Sequence, residues 1–189
     1  METTGSRNTA THGMSRLAAS TLAAIFLGSL LVGSVSAAPP ALASAQVDLA
    51  AARAATARFH DVRRAMADGY QLPPAGVPLH ECIASFDGTG AMGYHYINGD
   101  LIGKPLDPTK PQVLVYAPDA DGQLQLVALE FVVFQGPGVE QPMLFDQMFM
   151  STGAGNRYQI PAFYSLHVWL WKHNPSGMFA PFNPRVSCP

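Results

Sequence analysis

The residues best suited to chemistry in this 189-residue chain lie in one C-terminal stretch, residues 166–179. The stretch holds both tryptophans of the chain and two of its six histidines. Side chains alternate between two faces in an extended segment. The spacing therefore predicts one shared face for four rings, those of His167, Trp169, Trp171 and His173. Imidazole and indole rings on one strand face are more typical of a pocket or an interface than of a dry core.

The two histidines of this stretch cannot both bind one ion while the strand is straight. Six residues of strand span about 20 Å, whereas metal–nitrogen bonds are about 2 Å long. His167 lies mid-strand and is the better candidate for a metal ligand. His173 precedes an Asn-Pro-Ser-Gly turn, so we predict that it lies at the rim of the site as a capping, substrate-contacting or catalytic group.

Glu130 is unusual for its surroundings because it interrupts the apolar run from Leu126 to Phe134. A carboxylate buried in such a strand is costly unless it is paired, bound to a metal or protonated. One interpretation is a structural residue, either on the polar edge of a hairpin or paired with Arg157 or Arg185. The other is a functional group, either a metal ligand or a catalytic acid–base residue.

His95 is a further histidine on a predicted strand. With Glu130 and His167 it supplies two imidazoles and one carboxylate. This ligand set suits zinc, iron, manganese or copper and leaves coordination positions open. No short spacing such as HExxH joins the three residues, so the fold has to bring them together. Without a metal, the same trio could act as an acid–base pair.

Four further residues are predicted to shape a pocket around this trio. They are the aromatic walls Tyr96, Trp169 and Trp171, and a loop histidine at the rim, His80. Other chemistry has little support, because the sequence contains no GxSxG motif and no glycine-rich loop before a helix. The acidic residues at 119 and 121 are typical of a hairpin turn rather than of a calcium loop, since the twelfth-position glutamate is missing.

The elements that must position these groups are one helix and several strands. Residues 47–68 contain no glycine or proline and carry apolar side chains at helical spacing, and Gly69 is placed to end the helix. The β-rich runs that follow are separated by turns and cover residues 92–97, 112–116, 123–134 and 164–172. We predict an α+β fold in which one N-terminal helix packs on an antiparallel, curved β-meander or a partly open barrel.

Residues 1–45 are predicted to be a signal peptide and leader. Two arginines precede an apolar run over residues 17–35, and the small residues at 35–37 and 43–45 resemble cleavage sites. An uncleaved membrane anchor is the alternative interpretation. Residues 46–189 would then form a single secreted α+β domain, long enough for one core.

The cysteines and the charge define the expected compartment and partners. Cys82 and Cys188 are the two cysteines of the chain, and in an exported protein a disulfide between them is the default. The chain carries 11 Lys and Arg against 13 Asp and Glu, a net charge of −2. This balance argues against nucleic acid, or a membrane after signal cleavage, as a partner. We expect a small-molecule partner and a secreted or cell-envelope location; the oligomeric state stays open.

Several segments of the chain resemble a family of uncharacterised exported bacterial proteins. The matching segments are residues 55–70, 92–98, 111–116, 126–130, 166–179 and 183–188. The resemblance covers most of the mature chain and implies export, but it implies no activity. Residues 145–150 depart from the family pattern, which has a histidine in this segment where the present chain has none.

Three functions remain open on the sequence alone. The first is a metal-dependent enzyme that acts on a small aromatic or apolar molecule. The second is a non-catalytic protein that binds a metal or a small ligand. The third is a structural or interaction protein of the envelope whose histidines are structural.

Overall fold

The computed structural model describes residues 40–189. The predicted signal segment therefore falls outside the described residues, except for its last positions. The described part begins with helix α1, Pro40–Thr56, continues through a 3₁₀ turn, Ala57–His60, and enters a short helix α2, Val62–Ala67.

The sequence predicted one continuous helix in this region, but the helix is interrupted at Asp61. The backbone of Asp61 is extended, and its carboxylate accepts the N–H of Arg63 at 3.0 Å, which caps α2. Gly69 follows α2 with a φ of 91°, a conformation that favours glycine and ends the helical region at the predicted residue.

Nine strands follow in the described part of the chain. They are β1 Tyr70–Gln71, β2 Ile83–Ala84, β3 Ala91–Asn98, β4 Val113–Pro118, β5 Leu124–Phe134, β6 Met143–Leu144, β7 Gln147–Met148, β8 Met150–Thr152 and β9 Phe163–Val168. Within the described residues, seven strands form one antiparallel sheet in the order β1-β3-β4-β5-β9-β8, with β2 also paired to β3. Strands β6 and β7 form a separate hairpin. The open sheet with its N-terminal helix confirms the predicted α+β fold.

The central strands are buried on both faces, which explains why β5 has an almost continuous apolar sequence. We call one side the helix-side face; it carries Tyr116, Phe131 and Leu166, which pack with Phe59 of the helical region. The hydroxyl of Tyr116 donates to the backbone carbonyl of Phe59 at 2.6 Å and ties the helical region to the sheet.

We call the opposite side the tail-side face. It carries Val115 and Val132, which belong to a second apolar cluster with Val186 of the C-terminal tail. Cys82 and Cys188 form the predicted disulfide, with a sequence separation of 106 residues. The tail is therefore linked covalently to the segment before β2. Such a link is typical of an oxidising compartment.

Strand β9 is shorter than the sequence predicted. It ends at Val168, where the N–H of Leu170 donates to the Val168 carbonyl at 2.9 Å and the chain turns away from the sheet. The predicted alternation therefore stops before the second tryptophan. Trp169 packs on the tail-side face, whereas Trp171 contacts His60 of the helical region with ring centroids 4.4 Å apart.

The helices of the described part of the chain are too short or too polar to span a membrane. No helix within residues 40–189 is both long enough and apolar enough to cross a membrane.

Candidate metal centre

The tail-side face brings together three side chains from three strands. His95 lies on β3, Glu130 on β5 and His167 on β9, and Glu130 is the direct cross-strand partner of His167. Strand β4 lies between β3 and β5, with Val115 opposite His95 and Val113 opposite Glu130. Because alternate residues share a face, this register places all three polar side chains on the same side of the sheet.

The three side chains converge on one small region. The Nε2 atom of His95 lies 3.5 Å from Oε2 of Glu130, and Nδ1 of His167 lies 3.6 Å from Oε1 of the same carboxylate. The two imidazole rings are nearly perpendicular, at 84°, with centroids 5.8 Å apart. One potential ligand atom from each residue lies within 4.8 Å of the other two.

These nitrogen–oxygen separations fit metal ligands better than direct hydrogen bonds. Hydrogen bonds between nitrogen and oxygen have lengths of about 2.7–3.2 Å. Two ligands that each lie about 2.1 Å from a tetrahedral ion are separated by about 3.4 Å. The 3.5 and 3.6 Å distances are close to the second value. The trio therefore has the spacing of groups that share an ion.

Burial keeps both imidazoles neutral, which is the state in which histidine binds a transition metal. Burial lowers the pKa of His95 to about 4, against the attraction of the Glu130 carboxylate, and burial also lowers the pKa of His167 to about 4. Both rings are therefore neutral at pH 7. Burial raises the pKa of Glu130, while His95 and a hydrogen bond from the Ser165 hydroxyl oppose the rise. A metal would displace any proton on this carboxylate.

Neither of the arginines considered as partners for Glu130 pairs with it. Arg157 donates to the carbonyl of Ala84 at 2.9 Å, and its guanidinium lies 4.0 Å from the centroid of the Phe86 ring. Arg185 lies beside His173, with 3.4 Å between Nη1 and Nδ1. Among the described residues, only the two histidines form ion-pair contacts with Glu130. Both structural interpretations of Glu130 are therefore wrong, because the side chain is buried rather than at a polar edge and its ion-pair contacts are with histidines rather than with arginines.

The outer nitrogen of each imidazole is poorly supported by the protein. Nε2 of His167 has no hydrogen-bond partner among the described residues. Nδ1 of His95 makes no hydrogen bond of ordinary geometry, although the backbone of Gly93 slightly favours the protonated ring. Metal-ligating histidines usually donate this second N–H to a carboxylate or a carbonyl. The two rings are thus positioned by burial and strand register rather than by a polar network.

An apolar cavity of about 140 Å³ adjoins the trio. His95 and Glu130 line it, whereas His167 does not. The remaining lining includes six apolar side chains, those of Leu79, Ile83, Val132, Phe134, Ile160 and Phe163. An ion held between His95 and Glu130 would therefore present an open side to an apolar space.

The other residues predicted for the site lie elsewhere. Tyr96 is on the helix-side face, where its ring packs against Tyr116 at a centroid distance of 5.0 Å, and Trp171 packs against the helical region. Trp169 is on the tail-side face, but its indole N–H donates to the Ala180 carbonyl at 2.6 Å and it does not line the cavity. The fold therefore separates these rings from the trio, because β9 ends before Trp171 and because Tyr96 alternates with His95.

The two other histidines predicted for the site, His80 and His173, do not belong to the trio. His173 is exposed, and its ring faces Arg185. His80 is partly buried, and its Nδ1 lies 2.6 Å from the Pro73 carbonyl, next to the cavity residue Leu79.

Two residues near the trio were missed by the sequence analysis as parts of a site. Ser165, two residues before His167 on β9, shares its face and hydrogen-bonds to Glu130. Its period-two spacing from His167 is a signal that could have identified it. Tyr158 lines the cavity, and its pKa is raised by burial and by the Glu130 carboxylate. Tyr158 lies in a loop, so no periodicity could have placed it.

The fold and the site together define an α+β domain with a buried His/Glu/His group that could hold a metal ion. No family model, no curated protein and no solved structure matches the chain. The geometry of this group and of the cavity beside it therefore provides the evidence for function.

Proposed function

We propose that this protein is exported and binds one divalent transition metal ion through His95, Glu130 and His167, and that the ion acts on a small molecule held in the adjoining cavity. The observation that carries the proposal is the spacing of the trio, with 3.5 and 3.6 Å between each imidazole and the carboxylate. These distances support ligands around a common point.

The burial of the trio supports the same proposal. A carboxylate and two imidazoles are buried on a face whose other side chains are mostly apolar, and no lysine or arginine pairs with them among the described residues. Such a group is unfavourable unless an additional partner interacts with it. A divalent cation would neutralise the carboxylate and use the lone pair of each imidazole, so it would remove most of this penalty.

The number of ligands suits a reactive ion rather than a purely structural one. Structural zinc sites are closed by four protein ligands, whereas catalytic sites keep an open position for water or substrate. Three protein ligands would leave such a position. Because His95 and Glu130 line the cavity, the arrangement supports an open position that faces it. An ion there could polarise a bound oxygen or lower the pKa of a bound water. Zinc, iron, manganese and copper all accept this ligand set.

A non-catalytic binding protein is the second candidate, and one observation favours it. In the described part of the chain, the cavity-lining residues with polar side-chain atoms are His95, Glu130 and Tyr158. If His95 and Glu130 both bind the ion, Tyr158 alone remains for proton transfer. Its raised pKa makes it an acid rather than a base at neutral pH. A chain that binds the ion and its small ligand without turnover would support this second candidate.

Elemental analysis of the purified protein tests the metal site. The wild type should carry about one equivalent of a transition metal after zinc loading and desalting, as expected for a site with three protein ligands. His95→Ala and His167→Ala should each lose that metal. His60→Ala is the matched control, because His60 is exposed and contacts Trp171 rather than the trio. Equal metal content in all four proteins would overturn the proposal.

Export is part of the same proposal and is supported by the disulfide between Cys82 and Cys188. The resemblance to exported bacterial proteins is consistent with it. Mass spectrometry of protein recovered from the culture medium or cell envelope tests this part. A mature N-terminus near residue 37 or 45 would support cleavage at a predicted site, and an intact N-terminus would contradict it.

A further inference from the structure

We infer that the cavity beside the trio takes a phenol, that is, a single aromatic ring of benzene size whose one oxygen binds the metal ion. This inference rests on the proposed metal site and specifies which small molecule that site accepts. It follows from the size of the cavity, from the position of its polar groups and from the charge that the ion and its ligands would carry.

The size of the cavity admits one six-membered ring. Its volume is about 140 Å³. An apolar cavity of about 150 Å³ lined by Leu, Ile and Phe in another protein stays dry and binds benzene. The present lining has the same character, with Leu79, Ile83, Ile160 and Phe163 among its residues. A fused two-ring molecule would need a larger space.

The polar groups of the cavity define the orientation of the guest. His95 and Glu130 are the two candidate metal ligands that reach the cavity, and Tyr158 is the third lining residue with a polar atom. The apolar side chains leave the guest no other strong polar contact. A guest with one donor atom and an apolar body therefore satisfies the whole lining, because its donor meets the ion and its ring meets Val132 and Phe163.

Charge favours a donor that can become a monoanion. A divalent ion with one carboxylate ligand and two neutral imidazoles carries a net charge of about +1 in a site from which water is largely excluded. A phenolate oxygen would neutralise this charge, whereas benzene would leave it uncompensated. The phenol would deprotonate on binding, with its proton released to solvent, and no bond within the ring would form or break.

The lining of the cavity reaches the protein surface at Phe134. Phe134, at the end of β5, lines the cavity and is 38% exposed. Leu79 of a short 3₁₀ helix, Pro78–His80, and the loop residues Tyr158 and Ile160 are partly buried. His95 and Glu130 are therefore part of the buried lining, and we infer that a guest enters beside Phe134.

Calorimetric titration with phenol tests the inference, using wild-type protein in the zinc-loaded and the chelator-treated form. Phenol should bind the loaded form at least about tenfold more tightly than the metal-free form, a difference of about 1.4 kcal/mol. Benzene should bind both forms equally, and 2-naphthol should bind neither. With cobalt in place of zinc, phenol should shift the visible absorption of the bound ion.

Ile160→Trp should block the cavity and weaken phenol binding at least about tenfold. Its metal content should equal that of the wild type, which shows that the fold and the trio are intact. Leu79→Trp, in the 3₁₀ helix Pro78–His80, repeats the test from another segment in case the first variant does not fold. Val139→Trp is the matched control, because Val139 is exposed and does not line the cavity.

Failure of this inference is distinguishable from failure of the proposed metal site. A metal titration without phenol reports on the metal site alone. If the wild type binds no metal in that titration, both proposals are overturned. If the protein binds one ion but phenol affinity is the same with and without it, the inference is overturned and the metal site stands. The same conclusion follows if Ile160→Trp binds phenol as the wild type does.

Discussion

Glu130 and His167 are direct cross-strand neighbours on β5 and β9, and their Oε1 and Nδ1 atoms lie 3.6 Å apart. His95 approaches the other oxygen of the same carboxylate from β3, at 3.5 Å. Both separations exceed the length of an ordinary hydrogen bond, which is about 2.7–3.2 Å. Burial lowers the pKa of both histidines and raises the pKa of Glu130. The group therefore does not have the properties of a structural ion pair.

Glu130→Gln should separate the metal function from the stability of the fold. The substitution keeps the shape of the side chain but removes a buried carboxylate without a cationic partner, so the metal-free protein should unfold at an unchanged or higher temperature. Metal affinity should fall at least about tenfold, because a ligand charge is lost. Thermal unfolding and zinc titration measure the two effects.

Glu140→Gln is the matched control, since Glu140 is exposed. A structural ion network would give the reverse pattern. Loss of one partner from a buried charge pair destabilises a protein by about 3–5 kcal/mol. A loss of this size in metal-free Glu130→Gln, with metal binding unchanged, would contradict our account.

The metal-free protein should lose stability as the pH falls from 6.5 toward about 4. The folded pKa of His95 and of His167 is about 4, compared with 6.5 for an unperturbed histidine. The unfolded chain therefore binds more protons in this window, and protonation favours unfolding. Glu130 acts in the opposite direction, because its raised pKa lets the folded state bind a proton first. Two imidazoles outweigh one carboxyl, and the net loss should be on the order of a few kcal/mol.

Urea unfolding of the chelator-treated protein at several pH values measures this loss of stability. The double variant His95→Asn/His167→Asn should show a flatter dependence in the same window. An equally steep dependence in the double variant would show that the loss comes from other groups.

Removal of the disulfide should destabilise the fold without removing the metal ligands. Cys82 and Cys188 are separated by 106 residues, and loss of such a link typically costs about 2–5 kcal/mol, because the unfolded chain gains conformational freedom. The double variant Cys82→Ala/Cys188→Ala, compared with the wild type by urea unfolding, measures this cost. A change below about 0.5 kcal/mol, the scale of an ordinary surface substitution, would show that the link contributes little.

Gly93→Ala should disrupt the start of β3, two residues before His95. Gly93 has a φ of 117°, and a Cβ atom there would lie 2.4 Å from the carbonyl oxygen of Tyr116 on β4. Gly88→Ala is the matched control, because Gly88 also has a positive φ, 74°, but a Cβ atom there would meet nothing within 4 Å. Backbone strain alone should lower the free energy of unfolding of the control by about 1–3 kcal/mol. Gly93→Ala should lower it further, and equal decreases in urea unfolding would contradict the close approach of β3 and β4.

The fold class and the members of the trio were accessible from the sequence because both depend on short-range patterns. Glu130 stands out in an apolar run, and period-two alternation gives the faces of His95 and His167 along their own strands. The register between strands then brings the three together. That register depends on packing across the whole sheet, which no local pattern specifies.

Other features of the site could not be predicted because they depend on where the chain leaves the sheet. Nothing in the alternation of residues 166–173 marks the turn after Val168 that sends Trp171 to the helix-side face. Part of the cavity wall comes from outside the strands, from Leu79 in a single 3₁₀ turn and from Tyr158 and Ile160 in a loop. Loop conformation is governed by tertiary contacts rather than by periodicity.

X-ray absorption spectroscopy of the zinc-loaded protein is the decisive test of the metal site, because it reports the atoms bound to the ion. We expect two imidazole nitrogens and one carboxylate oxygen, with a light atom at the open position and bond lengths of about 2.0–2.2 Å. His95→Ala and His167→Ala should each remove one imidazole from the spectrum or abolish binding. A spectrum with no imidazole, or one unchanged in both variants, would contradict a metal site formed by His95, Glu130 and His167.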